Sequence, residues 1–118
     1  MIMLKLILRI LLAIAVISYF GVDIFFVATN FIPSLVILLE NIIYGISYLA
    51  LLLLMFVFKN NKILYSAIIF IAAFNAGRVS EVIINSTGVV DPLAYSHLPL
   101  FIGVILIVII SFLLLKET

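Results

Sequence analysis

Cysteine and tryptophan are absent from this chain of 118 residues, and histidine occurs once. Without cysteine there is no disulfide, thiol redox couple, iron–sulfur cluster or thiolate zinc site. A single histidine cannot supply both axial ligands of a bis-histidine haem. We therefore expect neither a metal site nor a bound cofactor.

Charge is also scarce. Only 9% of the residues are charged and the formal net charge is +1, so the many phosphate contacts that nucleic-acid binding requires are not expected. The hydrophobic fraction is 69% and the mean hydropathy is +1.58, whereas soluble domains are roughly 45–50% apolar. So few polar residues cannot cover a soluble globule, and the composition predicts an integral membrane protein.

Four apolar stretches are long enough to cross a bilayer, since about 20 helical residues span roughly 30 Å. Pro33 and Pro99 suit the first turn of a helix, where the missing N–H has no cost. The sequence predicts an all-α fold, an integral membrane four-helix bundle in which residues 1–118 form one transmembrane domain, with helices at about 4–22, 33–58, 63–84 and 98–115.

The first stretch leaves one alternative open. Residues 24–27 are apolar although they follow Asp23, so either the first helix continues past Asp23 or this segment lies flat at the membrane interface. Basic residues precede the stretch, as in a secretory signal, but residues 18–23 are bulky where a signal peptidase requires small ones. We interpret the stretch as a retained helix.

The basic residues predict an orientation, because they are enriched in cytoplasmic loops. With the amino terminus inside the cell, only Arg78 lies toward the outer side, and the cytoplasmic basic residues are Lys5, Arg9, Lys59, Lys62 and Lys116. We predict a multi-pass protein of the cell membrane with both termini cytoplasmic.

Ionisable residues within apolar spans are costly, and each suggests a function. Glu40 lies roughly 10 Å below the outer end of the second span and Arg78 roughly 9 Å below that of the third, so we expect them to pair. Glu81, three residues after Arg78, can share its guanidinium.

Polar residues at helical spacing extend this pattern to three spans. Tyr44 follows Glu40 by four residues, Asn75 precedes Arg78 by three, and Tyr19 lies on the first span. We predict that these stripes converge on a polar, outward-opening pocket, capped by Asp91 and His97. Its ligand-binding or ion-pair residues would be Glu40, Arg78, Glu81, Tyr44, Asn75 and Tyr19.

A structural interpretation of the same residues stays open. Glu40 and Arg78 would then be a buried ion pair that only fixes helix register, and the tyrosines would only hydrogen-bond between helices. Glu81 and His97 would be interfacial side chains. Asn85 begins a glycosylation sequon, Asn-Ser-Thr, on the predicted outer side.

Three segments together resemble the DoxX-like small membrane proteins. Arg9 is followed by Leu11, Leu12 and later Gly21; Leu38-Leu39-Glu40 is followed by Tyr44-Gly45; and residues 77–80 read Gly-Arg-Val-Ser before Gly88 and Pro92. The resemblance implies a four-helix membrane protein, in a family with one branch associated with thiosulfate:quinone oxidoreductase. The positions that carry over are Glu40 and Arg78.

Three functions are consistent with these features. The first is a non-enzymatic accessory or ligand-binding subunit with an outward-facing polar pocket, linked to quinone or electron-transfer complexes. The alternative is a small dimeric proton-coupled transporter or ion channel, although the inner halves of the spans are almost free of polar residues. The third is a membrane enzyme that uses Glu40, Glu81 or His97 as acid or base. The expected partners are the lipid bilayer and either further copies of the chain or a membrane complex.

Overall fold

The computed structural model describes residues 2–30, 35–58, 61–85 and 92–118, without the side chains of residues 82–85 and 92–97. It contains four α-helices: α1 (Ile2–Ala28), α2 (Leu35–Val57), α3 (Lys62–Asn85) and α4 (Pro92–Lys116). Each is long and apolar enough to cross a membrane. The predicted all-helical fold with four such helices is confirmed.

Helix α1 is longer than predicted because it continues through Asp23, which selects the first of the two alternatives for residues 24–27. It ends at Ala28. The Thr29 hydroxyl and amide donate to the Phe25 carbonyl at 2.8 and 3.0 Å, and Asn30 adopts a left-handed φ of 57°. A left-handed asparagine is a common helix terminator.

Helix α4 begins six residues before the predicted start, so Pro99 lies inside the helix and not in its first turn. The predicted start of α4 at residue 98 was therefore wrong, because the helix begins at the earlier proline, Pro92. Pro92 takes the first helical position, where proline costs no hydrogen bond, whereas Pro99 lies inside the helix, where its missing N–H removes one backbone hydrogen bond.

The helices pack in the order α2, α1, α4 and α3. Helix α1 packs against α2 and α4, and α3 packs against α4, whereas α2 and α3 contact each other much less. The bundle therefore has an opening between α2 and α3. We call the end of the bundle that carries Glu40 and Arg78 the Glu40 end, and the opposite end, which carries both chain termini, the terminal end.

The bundle is apolar both inside and outside. Its centre contains fully buried Leu8, Leu12, Ile68 and Leu114. Many large apolar side chains point away from it and are more than half exposed, for example Ile17, Phe56, Phe70 and Phe112. Exposing so much apolar surface to water is unfavourable, whereas contact of the same surface with lipid hydrocarbon is not.

At the terminal end, Arg9 lies against the last turn of α2. Its guanidinium is 4.7 Å from the centroid of the Phe56 ring and donates a long hydrogen bond of 3.5 Å to the Met55 carbonyl. Among the described residues, its Nε has no hydrogen-bond partner. The contact shows that the start of α1 lies beside the end of α2.

Gly45 permits the close approach of α1 and α2. A Cβ atom built on Gly45 would lie 2.9 Å from the Phe20 ring, whereas one built on Gly21 would meet nothing within 4 Å. The absence of a side chain at Gly45 therefore lets the Phe20 ring lie against the α2 backbone.

We expect Gly45→Leu to destabilise the bundle by about 1–3 kcal/mol, because the new side chain must displace Phe20. The free energy of unfolding would be measured in mixed detergent micelles. Gly21→Leu is the matched control, since it makes the same change in composition on an open surface. Equal stability of the two variants would contradict a close approach at Gly45.

Candidate functional site

The charged centre of the candidate site is the ion pair between Glu40 and Arg78. Glu40 lies in the second turn of α2 and Arg78 in the second half of α3. Arg78 Nε donates to Glu40 Oε1 and its NH2 donates to Oε2, both at 3.0 Å. The structure thus contains the pairing that the sequence predicts, in the two-pronged form that suits a guanidinium and a carboxylate.

Glu81 lies on α3, as Arg78 does, and also binds its guanidinium. Arg78 NH1 donates to Glu81 Oε2 at 2.9 Å. The Glu40, Arg78 and Glu81 side chains are 27%, 41% and 56% exposed, so this cluster lies at the mouth of the opening between α2 and α3 and is not enclosed by the protein. Two carboxylates and one guanidinium leave a formal excess of one negative charge.

A cavity of about 420 Å³ lies beside this cluster, between α2 and α3, and we call it the groove. Its polar lining is confined to the charged pair, Tyr44 and Ser47, and the Ser47 hydroxyl already donates to the Ile43 carbonyl at 2.8 Å. The full lining comprises Glu40, Ile43, Tyr44, Ser47, Phe70, Ile71, Phe74 and Arg78.

The groove walls are mainly aliphatic and aromatic. Phe70 and Phe74 are 72% and 61% exposed, and Ile43 is 61% exposed, so the groove opens to the side of the bundle. Tyr44 is buried at its base. The groove thus combines a mostly apolar, open wall with a few polar groups at one end, the same combination found in sites for small molecules.

Tyr19, Tyr48 and Asn75 form a separate network in the core. Tyr19 donates its hydroxyl proton to Asn75 Oδ1, and Asn75 Nδ2 donates to the Tyr48 hydroxyl at 2.7 Å. Asn75 and Tyr48 are completely buried and Tyr19 nearly so. One asparagine on α3 therefore satisfies tyrosines on α1 and α2.

The aromatic rings of this network connect it to the groove. The Tyr19 ring stacks with that of Tyr48 at a centroid distance of 6.1 Å and packs at a tilt against that of Tyr44 at 5.4 Å. Tyr44 thus has the core network on one side and the groove on the other.

The six predicted site residues divide into two groups. Glu40, Arg78 and Tyr44 line the groove, and Glu81 reaches its charged end through Arg78. Tyr19 and Asn75 do not line it. In the described structure, Asn75 instead binds Tyr19 and Tyr48 within the core, and the predicted convergence of all six residues on one capped pocket stays a prediction. The predicted cap, Asp91 and His97, and the sequon residue Asn85 lie outside the described side chains.

Sequence reasoning missed Asn41. Its amide donates to Asp23 Oδ1 at 2.9 Å and so links α2 to α1 near the Glu40 end. In the described part of the chain, the buried Asp23 Oδ2 has no hydrogen-bond partner. The sequence does contain an indication of this contact, because Asn41 directly follows Glu40 as a second polar residue in an apolar run.

The aromatic wall was also missed. Phe70 and Phe74 precede Arg78 by eight and four residues, and this spacing places all three on one helix face. A search confined to polar residues could not find them. No group of three His, Cys, Asp or Glu side chains that could hold a metal ion occurs among the residues the structure describes.

We expect Asn75→Leu to destabilise the protein by about 1–3 kcal/mol, because it leaves two buried tyrosine hydroxyls without partners. The triple variant Tyr19→Phe, Tyr48→Phe, Asn75→Leu should recover most of that loss, since no buried polar atom of the network then remains. Unfolding in mixed micelles compares the two. A triple variant less stable than Asn75→Leu would show that the tyrosine hydroxyls have other partners.

Comparison with known proteins gives no further assignment. No protein-family model, curated protein or solved structure matches this sequence. The resemblance to the DoxX-like proteins therefore remains a prediction.

Proposed function

We propose that the chain is a multi-pass protein of the cell membrane with both termini cytoplasmic. Four helices of sufficient length and hydropathy, and an apolar exterior, support insertion. The basic residues near the terminal end support the orientation. The Glu40 end would then face the outside of the cell.

Single cysteines test this topology, because the natural chain has none. We expect Thr29→Cys, at the Glu40 end, to react with a membrane-impermeant maleimide in intact cells. Glu117→Cys, at the terminal end, should react only after the membrane is permeabilised. The reverse pattern would contradict the orientation, and equal labelling of both in intact cells would indicate mixed topology.

Within that membrane, the function that the geometry supports best is ligand binding by a non-enzymatic accessory subunit. The observation that carries this proposal is the groove, in which an apolar, partly aromatic wall ends at a charged cluster. A lipid-soluble molecule with a polar head group is likewise apolar over most of its length and polar at one end. Its apolar part would lie against Phe70 and Phe74, and its head group near Glu40 and Arg78.

The DoxX-like resemblance suggests a quinone as the first ligand to test, in a subunit linked to an electron-transfer complex or assembled with further copies of itself. A quinone head group carries carbonyl acceptors. Arg78 has five N–H donors, of which three are engaged by the two carboxylates, so two remain for such a ligand.

A proton-coupled transporter or ion channel is the second candidate, and the position of Glu40 favours it. This carboxylate lines an open groove and could exchange partners as a substrate enters. At the terminal end, however, the described core is formed mainly by apolar side chains such as Leu8 and Leu114, and its buried polar members are Tyr65 and Ser111. Proton flux into proteoliposomes that is lost in Glu40→Gln would favour this candidate over simple binding.

A tryptophan reporter tests ligand binding directly, since the natural chain has no tryptophan. Phe74→Trp places one indole in the groove. We expect a short-chain benzoquinone added to proteoliposomes to quench this emission saturably, because a bound quinone lies in contact with the indole.

Ile17→Trp is the matched control. Ile17 is 71% exposed on α1 and lies two residues from Tyr19, whose partner Asn75 is adjacent to Phe74, so the two indoles have similar depth. Its quenching should rise linearly with quinone, and Glu40→Gln with Arg78→Leu in the Phe74→Trp background should remove the saturable part. Identical quenching curves for the two reporters would refute a binding site in the groove.

A further inference from the structure

The charge at the end of the groove determines which head group fits best. Arg78 is held by both oxygens of Glu40 and by one oxygen of Glu81. An anionic ligand could reach the two remaining N–H donors of Arg78 only while lying close to both carboxylates, which repel it. Glu40 and Arg78 line the groove and cancel in formal charge, so the excess negative charge that a cationic ligand meets is that of Glu81, which lies at the charged end against Arg78.

The walls of the groove favour the same sign of charge. Phe70, Phe74 and Tyr44 present aromatic rings to the cavity, and the faces of such rings attract organic cations. Among the residues that line the groove, Arg78 is the only cation, and it is neutralised by its partners. Charge and wall chemistry therefore agree.

We propose that the groove selects lipophilic organic monocations: molecules with apolar or aromatic substituents around a positive nitrogen or phosphorus. The cation would lie beside the Glu40 and Glu81 carboxylates, with its substituents against Phe70 and Phe74. A site of about 420 Å³ is within the range that drug-sized ligands occupy. This inference rests on the proposed ligand-binding function and goes beyond it, since it makes a cation the preferred ligand over a neutral quinone.

Tetraphenylphosphonium and tetraphenylborate test the sign of charge, because they have nearly the same shape and opposite charges. Their binding to the detergent-solubilised chain would be measured by isothermal titration calorimetry. We expect saturable binding of the phosphonium at one site per chain and binding of the borate at least about tenfold weaker. Equal binding of the two ions, or tighter binding of the borate, would overturn the inference.

The variant Glu81→Gln tests whether the preference for cations arises at the charged end of the groove. It removes the excess negative charge but leaves the Glu40–Arg78 pair in place, and we expect it to weaken phosphonium binding on the order of tenfold. Glu117→Gln makes the same change in total charge on the exposed residue next to the end of the chain and should bind as the natural chain does. Equal effects of the two variants would show that only the total charge matters and would also overturn the inference. Circular dichroism would confirm that both variants keep their helices.

The proposed function and this inference fail in different ways. Saturable quinone quenching of Phe74→Trp without a preference for the phosphonium would retain the groove as a site and refute its selectivity for cations. A second copy of the chain is the competing occupant. If Phe70→Cys forms a disulfide-linked dimer in membranes as fast as it reacts with a maleimide, the groove is an interface between copies, and the inference fails.

Discussion

The interaction between Arg78 and Glu40 joins two helices that have little other contact. Helices α1, α4 and α3 pack in sequence through apolar side chains, and α2 is held by α1, so α2 and α3 are joined by few contacts, of which the described polar ones are this ion pair and the buried Asn75–Tyr48 hydrogen bond. Its two parallel hydrogen bonds fix the rotation of both helices as well as their distance. The groove lies beside this ion pair, in the space that the few contacts between α2 and α3 leave open.

Apolar packing alone would not select this arrangement. The helices are apolar on nearly every side, so in the proposed bilayer many rotations would bury similar surfaces, and lipid competes equally for them. The polar side chains remove that degeneracy. Asn75 connects Tyr19 and Tyr48, and Asn41 donates to Asp23, so each bond holds one pair of helices in register. A buried polar group without its partner is costly, and this makes alternative rotations unfavourable.

The sequence predicts the helices and the ion pair for the same reason, namely that both follow from one-dimensional spacing. Hydropathy locates long helices, and an isolated charge in an apolar run needs a partner at similar depth. The lateral order of the helices does not follow from spacing. The sequence therefore could not assign Asn75 to the core and Tyr44 to the groove, although both lie on predicted polar stripes. It also misplaced the start of α4 at Pro99, because Pro92 and Pro99 both suit a first turn.

Of the two proposed functions, the arrangement of charge favours ligand binding over passage of a ligand through the bundle. The excess negative charge, the aromatic wall and the uncommitted guanidinium donors lie together at the Glu40 end. Toward the terminal end, the described core consists mainly of Leu, Ile and Met side chains, with buried Tyr65 and Ser111 as its polar members. An ion that entered the groove would lose its carboxylate partners before it reached the other end, at a cost of several kcal/mol in an apolar medium. Passage would require α2 and α3 to separate further, and this would break the ion pair that joins them. The same contact that forms the charged end of the groove therefore also restricts movement beyond it.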